Sequence, residues 1–242
     1  ILEYKKMYPN VKIIHRVNEC DIKREKSINI EQLLLKTMQI ADHVVFISKW
    51  LQDYFIKKYS LNLLSYNCIL NGCNIEHFFP SNNKKLQNNK IKIVTHHWSN
   101  NYLKGFHIYN AIDKLLESRK DIEFTFIGNY NPNYRPKNIK LIKPTNGKEL
   151  GDLLRQQDIY LTASQNEPCG MHQLEGMSCG LPLLYCDGGG GIKETCNNGE
   201  EYHNIETLLI KIDLIKNNYN DYVNKIYYEY LSSERCCEEY MN

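Results

Sequence analysis

The chain has 242 residues, enough for one large domain or two modest ones around a real hydrophobic core. Apolar residues make up 42% and charged residues 24%, which is ordinary for a globular protein. A formal net charge of +2 gives nucleic acid no global electrostatic footprint, and no apolar run approaches the ~20 residues that span a bilayer.

The chain opens on Ile1, and Leu2–Tyr8 has helical character, so the sequence is expected to start inside a longer protein. Val11–Ile14 is a strand candidate, and Ile28–Ala41 carries apolar residues near helical spacing. Val44–Ser48 follows as a strand, Leu51–Tyr59 as a helix and Tyr66–Leu70 as a strand closed by the turn signal Asn71-Gly72. Residues 80–90 are polar and rich in Asn and Lys, and are expected to be a linker.

A second series begins at Ile91–Thr95, a strand, with a helix over Gly105–Arg119. Strands are expected at Ile122–Ile127 and Ile139–Leu141, and a helix at Gly147–Gln157. Ile159–Ala163 is a strand, Met171–Cys179 a helix and Leu183–Cys186 a strand. Ile205–Asn217 and Tyr219–Tyr240 are expected as closing helices. Strands alternating with helices imply parallel sheet covered on both faces. The expected fold class is therefore α/β. The chain is expected to divide into residues 1–80 with only about three strands, a nearly complete second unit over 81–217, and a closing helix over 218–242.

Nine cysteines, an odd count with no CxxC pair, and no secretory signal point to free thiols in a reducing cytoplasm. The same spacing offers no zinc site. Residues 1–60 hold eleven Lys/Arg against seven Asp/Glu. Such a face suits peripheral contact with anionic lipid or a phosphorylated acceptor, and equally suits an ordinary solvated surface.

In open parallel sheets, ligands bind beyond the carboxyl ends of the strands. The richest loop there follows Ile159–Ala163 and runs from Ser164 through Glu167, Gly170, Met171 and His172 into a helix carrying Glu175. Gly170 permits close backbone approach, and the helix start near Met171 offers unpaired N–H groups suited to a diphosphate. Glu167 and Glu175 bracket that start, although two carboxylates so placed serve structure as readily as chemistry. Asp187 and the four glycines Gly188–Gly191 form a second close-approach loop, which does not match the GxGxxG dinucleotide pattern.

Together these segments resemble the retaining GT-B glycosyltransferases of family 4. Glu167 and Glu175 stand at the family's paired-Glu spacing and are followed by Gly176-Met-Ser-Cys-Gly180-Leu-Pro182. Ala41–Ser48, Ile69–Asn74 through Phe79-Pro80, Lys104-Gly105 and Phe126-Ile127-Gly128 resemble further family segments in chain order. The resemblance covers roughly residues 11–240 and implies two Rossmann-like domains, the first only partly present.

The resemblance also implies roles. Glu175 would accept from ribose hydroxyls, Glu167 would face the donor sugar, and Gly170, Met171 and the helix start would hold the diphosphate. Lys104 would neutralise the leaving phosphate, so transfer would need neither metal nor cofactor, in keeping with the lack of a DxD motif. Gly189 and Gly190 would pass near sugar and phosphates, and Gly128 and Lys143 would border the base. His15, taken to follow a strand, would reach the donor sugar or serve structure. His96, His97 and His172 map near the cleft, with His172 capping or packing the Glu-bearing helix. The family's arginine before Lys104 is replaced by Ser99 or Asn100, with His97 or Asn101 as further substitutes. The implied activity is metal-independent, retaining transfer from a nucleotide-diphosphate sugar to a glycan, lipid or small-molecule acceptor. The alternatives are a nucleotide-sugar-binding module without catalysis, or a sugar-nucleotide epimerase or phosphorylase on the same architecture.

Overall fold

The computed structural model describes residues 2–26, 28–81, 86 and 90–242. Most of the expected linker, residues 82–85 and 87–89, lies outside these. The strands are β1 Ile14–Val17, β2 His43–Phe46, β3 Tyr66–Cys68, β4 Ile91–His97, β5 Ile122–Gly128, β6 Lys140–Ile142, β7 Ile159–Thr162, β8 Leu183–Cys186 and β9 Gly199–Tyr202. The helices are α1 Leu2–Met7, α2 Ile30–Met38, α3 Lys49–Tyr59, α4 Phe106–Leu115, α5 Gly147–Arg155, α6 Met171–Ser178, α7 Ile192–Thr195, α8 Ile205–Asn217, α9 Tyr219–Asn224 and α10 Ser233–Met241. No helix among the described residues is long and apolar enough to cross a membrane.

Every strand pairing is parallel. The second sheet has the order β6-β5-β4-β7-β8-β9, which is the doubly wound arrangement with its switch point between β4 and β7. Adjacent strand residues supply opposite faces. Ile93, Phe126, Leu161 and Leu184 pack with Tyr109 and Ile112 of α4 and Leu208 and Ile212 of α8. Their neighbours Val94, Ile127, Tyr160 and Leu183 pack with Leu150 and Leu154 of α5 and Leu174 and Met177 of α6. Burial on both faces explains why these strands read as near-continuous apolar runs.

The first sheet has the order β1-β2-β3 over a core of Val17, Phe46, Leu51 and Phe55. Glu31, buried in this unit, accepts from the hydroxyls of Tyr54 and Tyr59, the ammonium of Lys58 and the amide of Asp21. Burial opposes its charge, and these donors outweigh burial and lower its pKa.

Three differences from expectation have local causes. β1 starts at Ile14 rather than Val11, because Asp42 Oδ2 takes the Ile13 amide at 2.9 Å and the first ladder pair is Ile14 with His43. The expected helix Tyr219–Tyr240 breaks into α9, a 3-10 turn at Glu229–Leu231 and α10. The break sinks Ile226 and Leu231 into the core, and Ser232 Oγ then caps α10 by accepting from Arg235 N at 3.1 Å. β9 escapes a hydrophobic reading because Glu200 and Glu201 occupy its middle, where they pair with Lys211 and Lys193.

The two units are joined by specific bonds. Glu194 of α7 accepts from the amides of Lys49 and Trp50, both at 2.6 Å, so a carboxylate of the second unit caps α3 of the first. Asn71 Nδ2 donates to the Cys169 carbonyl at 2.8 Å. The chain returns after α9 so that Cys73 N donates to Leu231 O at 2.8 Å and Ser233 N to Cys73 O at 2.9 Å.

Candidate active site

A cleft of about 630 Å³ opens at the carboxyl ends of β4 and β7, with the first unit forming its opposite wall. The strand ends change from apolar to polar there: β4 closes on Thr95, His96 and His97, and β7 on Thr162. The loop from Ser164 to Gly170 then delivers Glu167 to the cleft wall, and α6 starts behind it.

Glu167 is held from behind by the glycine loop. Its amide donates to Gly189 O at 3.2 Å, and its carbonyl accepts from Gly191 N at 2.8 Å. Gly190 sits in this backbone pairing at φ 71°, which a residue with a Cβ adopts only under strain. The Glu167 carboxylate forms an ion pair with the Lys104 ammonium, and Lys23 of the first unit approaches its other oxygen at 3.9 Å. Burial alone would raise the pKa of Glu167. Lys104 and Lys23 outweigh that and lower it, so this buried side chain is a carboxylate at neutral pH.

Lys104 ends a 3-10 turn, Tyr102–Lys104, capped by Asn101 Oδ1 accepting from Leu103 N at 2.9 Å. Ser99 Oγ accepts from Asn101 N at 3.2 Å. The Ser99–Asn101 stretch thus builds the turn that presents Lys104. α6 begins at Gly170, which offers its first amides no side-chain cap, so those N–H groups remain for an anion.

Deeper in the cleft, His96 Nε2 meets Glu175 Oε2 at 2.7 Å. His97 Nε2 meets the Tyr109 hydroxyl at 2.6 Å, and His172 Nε2 meets Thr162 Oγ1 at 2.9 Å. Burial, reinforced by nearby cationic and imidazole groups, drives the pKa of His97 and His172 well below the ordinary value, so both are neutral. Among the described residues, no three His, Cys, Asp or Glu side chains converge as a metal site. All nine cysteines are free thiols.

Of the residues singled out from sequence, Glu167, Lys104, Glu175, Gly170, Met171, His172, Ser99 and Gly128 share this cleft, as do His96 and His97. His15, Asn100, Lys143, Gly189 and Gly190 are not in its wall. His15 was expected beyond a strand and lies inside β1, where the two-residue period directs Arg16 and Asn18 to the cleft instead. Lys143 is exposed beside Pro144, Thr145 and Asn146, which do line the cleft. Gly189 and Gly190 stand behind Glu167 as backbone support. No local sequence pattern marks Lys23, Arg16, Asn18 or Asn71 as lining the cleft, and Asn71 and Lys23 meet Cys169 and Glu167 across more than 90 positions.

Residues 80–232 match the family model described as Glycosyl transferases group 1, well over half of the chain. The chain belongs to this family. Its fold is the GT-B type. It superposes on sucrose-phosphate synthase of Thermosynechococcus elongatus with a TM-score of 0.78 at 14% identity, covering 99% of this chain and 68% of that one. It superposes on HepE of Anabaena, solved in complex with UDP and glucose, with a TM-score of 0.77 at 15% identity, covering 98% and 72%. A curated relative, the phosphatidylinositol N-acetylglucosaminyltransferase GPI3 subunit of Saccharomyces cerevisiae (strain YJM789), is 29% identical over 191 residues. That alignment takes in 71% of this chain and 41% of the relative, so the chain spans about two fifths of that relative's length.

Proposed function

We propose that the cleft binds a nucleotide-diphosphate sugar and that the family member containing it transfers the sugar with retention of configuration and without a metal. The observation that carries this reading is the Lys104–Glu167 pair beside the uncapped start of α6, with Glu175 eight residues further on. The diphosphate would meet the α6 amides and the Lys104 ammonium, which balances the charge that grows on the leaving phosphate. Glu175, steadied by His96, would accept from the ribose. Glu167 is ionised at neutral pH, which unsuits it to act as a general acid and suits it to stabilise positive charge developing on the sugar. Retention and metal independence rest on the resemblance of the Glu-Glu and Lys-Gly segments, and two unlike carboxylates do not by themselves imply glycosidase chemistry.

UDP-sugars are the first donors to try, because HepE is solved with UDP and glucose and the yeast relative is named for N-acetylglucosamine transfer to phosphatidylinositol. That name, with the basic excess in residues 1–60, favours a lipid acceptor met from the membrane surface on the cytoplasmic side. The test is donor turnover by the full-length protein carrying Lys104→Ala or Glu167→Gln, beside calorimetry of UDP, GDP and ADP. Each substitution is expected to cut kcat by about 10²–10³-fold. Turnover near wild type in both would overturn the assignment, and nucleotide binding without any turnover would favour a binding module.

A further inference from the structure

The loop that carries Lys23 crosses the cleft. Ile22 O accepts from Asn166 Nδ2 at 3.5 Å, Lys23 O from Asn101 Nδ2 at 3.0 Å, and Glu25 Oε1 from Tyr102 N at 2.9 Å. The first partner adjoins Glu167, and the other two belong to the turn that presents Lys104. The loop is anchored at its base by Asp21, whose carboxylate accepts from Ile28 N at 3.1 Å and Ile30 N at 3.2 Å near the start of α2. Its backbone is therefore fixed against the two segments that build the anion site.

The Lys23 side chain lies in the cleft wall and is about three-quarters buried. Its ammonium is 3.0 Å from Glu19 Oε1 and 3.9 Å from Glu167 Oε1, the second contact being too long for a hydrogen bond. Glu19 is shared, because its other oxygen takes Arg24 at 2.8 Å. Two carboxylates, Glu19 and Glu167, thus serve three cations, Lys23, Arg24 and Lys104. Lys23 is a cation in the cleft wall that a short movement would bring onto an anion beside the uncapped start of α6.

We propose that Lys23, supplied by the first unit, is the second cation of the donor diphosphate, so that the donor is gripped from both sides of the cleft. The proposal rests on the donor reading above and extends it. It assigns to the interdomain loop the charge that the Ser99–Asn101 turn does not carry. It also makes diphosphate binding depend on the contact between the two units. On the donor reading, the ribose end would meet Glu175 of the second unit, away from Lys23.

The experiment measures binding of UDP and of uridine to the whole protein by calorimetry, for wild type, Lys23→Met and Lys23→Arg. Lys23→Met is expected to weaken UDP about tenfold and leave uridine within twofold, and Lys23→Arg is expected to recover most of the UDP affinity. In wild type the UDP affinity should fall with added salt more steeply than in Lys23→Met. Unchanged UDP binding in Lys23→Met overturns the proposal, and so does an equal loss of UDP and uridine, which would mean that Lys23 only holds the fold. If wild type binds UDP, GDP and ADP no better than their nucleosides, the donor reading fails as a whole. Loss of UDP affinity confined to the Met variant can come only from the charge at position 23.

Discussion

His96 Nε2 lies 2.7 Å from Glu175 Oε2, and the Tyr160 hydroxyl lies 3.0 Å from His96 Nδ1. A carboxylate only accepts, so His96 Nε2–H donates to Glu175, and the Tyr160 hydroxyl is the partner of Nδ1. The Tyr160 oxygen in turn accepts from His96 N at 3.1 Å. The relay fixes the rotamer of Glu175 from inside the sheet. It takes part of the acceptor capacity of the carboxylate and leaves the rest for a ligand hydroxyl.

If Glu175 acts on the nucleoside through this relay, Glu175→Gln should weaken UDP binding about tenfold, or about 1.4 kcal/mol. His96→Ala should cost a few-fold by releasing the carboxylate. Because the two act as one unit, the double variant should bind no worse than Glu175→Gln by more than about twofold. Calorimetry on the four proteins measures this, and fully additive losses would show that His96 and Glu175 contribute separately.

The second unit was largely legible because its strands are buried on both faces and its helices are amphipathic. β8 and α8 fall on their expected residues, and Glu167 and Glu175 bracket the start of α6 where a helix was expected from Met171. The first unit was less legible. The apolar letters Val11, Ile13 and Ile14 straddle the start of β1, and Ile14 is exposed. A shift of three residues there exchanged His15 for Arg16 and Asn18 at the cleft. The position of Lys23 depends on three hydrogen bonds between units, each across 77 or more residues, and no local pattern encodes that. The closing helix failed for the opposite reason. Its local pattern is helical, but burial of Ile226 and Leu231 outweighs propensity.

The buried imidazoles make stability depend on pH. His97 and His172 have folded values well below the 6.5 of an exposed histidine, so below that pH the unfolded chain binds protons that the folded one refuses. Their contribution is therefore intact above about pH 6.5 and is lost progressively as pH falls below it. Two such groups add at most about 2.7 kcal/mol per pH unit to the slope. Chemical denaturation between pH 7.5 and 5 should show falling stability, and His172→Gln should flatten the slope by less than half, because burial also lowers the pKa of His15 and His107. Glu167 does not confuse the window, since its lowered value confines its own loss to pH below the ordinary carboxylate range. A stability profile flat to pH 5 would contradict neutral burial of these two rings.

Gly105 joins the turn that presents Lys104 to the first residue of α4. It sits at φ 96°, and a Cβ there would lie 2.2 Å from the Ala163 Cβ and 2.6 Å from the Ala163 carbonyl oxygen. The turn therefore rests directly on the end of β7, which brings Lys104 within reach of Glu167. Gly105→Ala must relieve both the left-handed backbone and the collision, at a cost of about 2–4 kcal/mol. Gly188→Ala is the control, because it has no positive φ and open space around its Cβ. Urea unfolding should separate the two variants by more than about 2 kcal/mol. In the same proteins UDP binding should fall in Gly105→Ala and hold in Gly188→Ala, since only the first moves Lys104. Equal stability of the two variants would mean that the turn can leave β7 freely, and that the Lys104–Glu167 pair is not set by this contact.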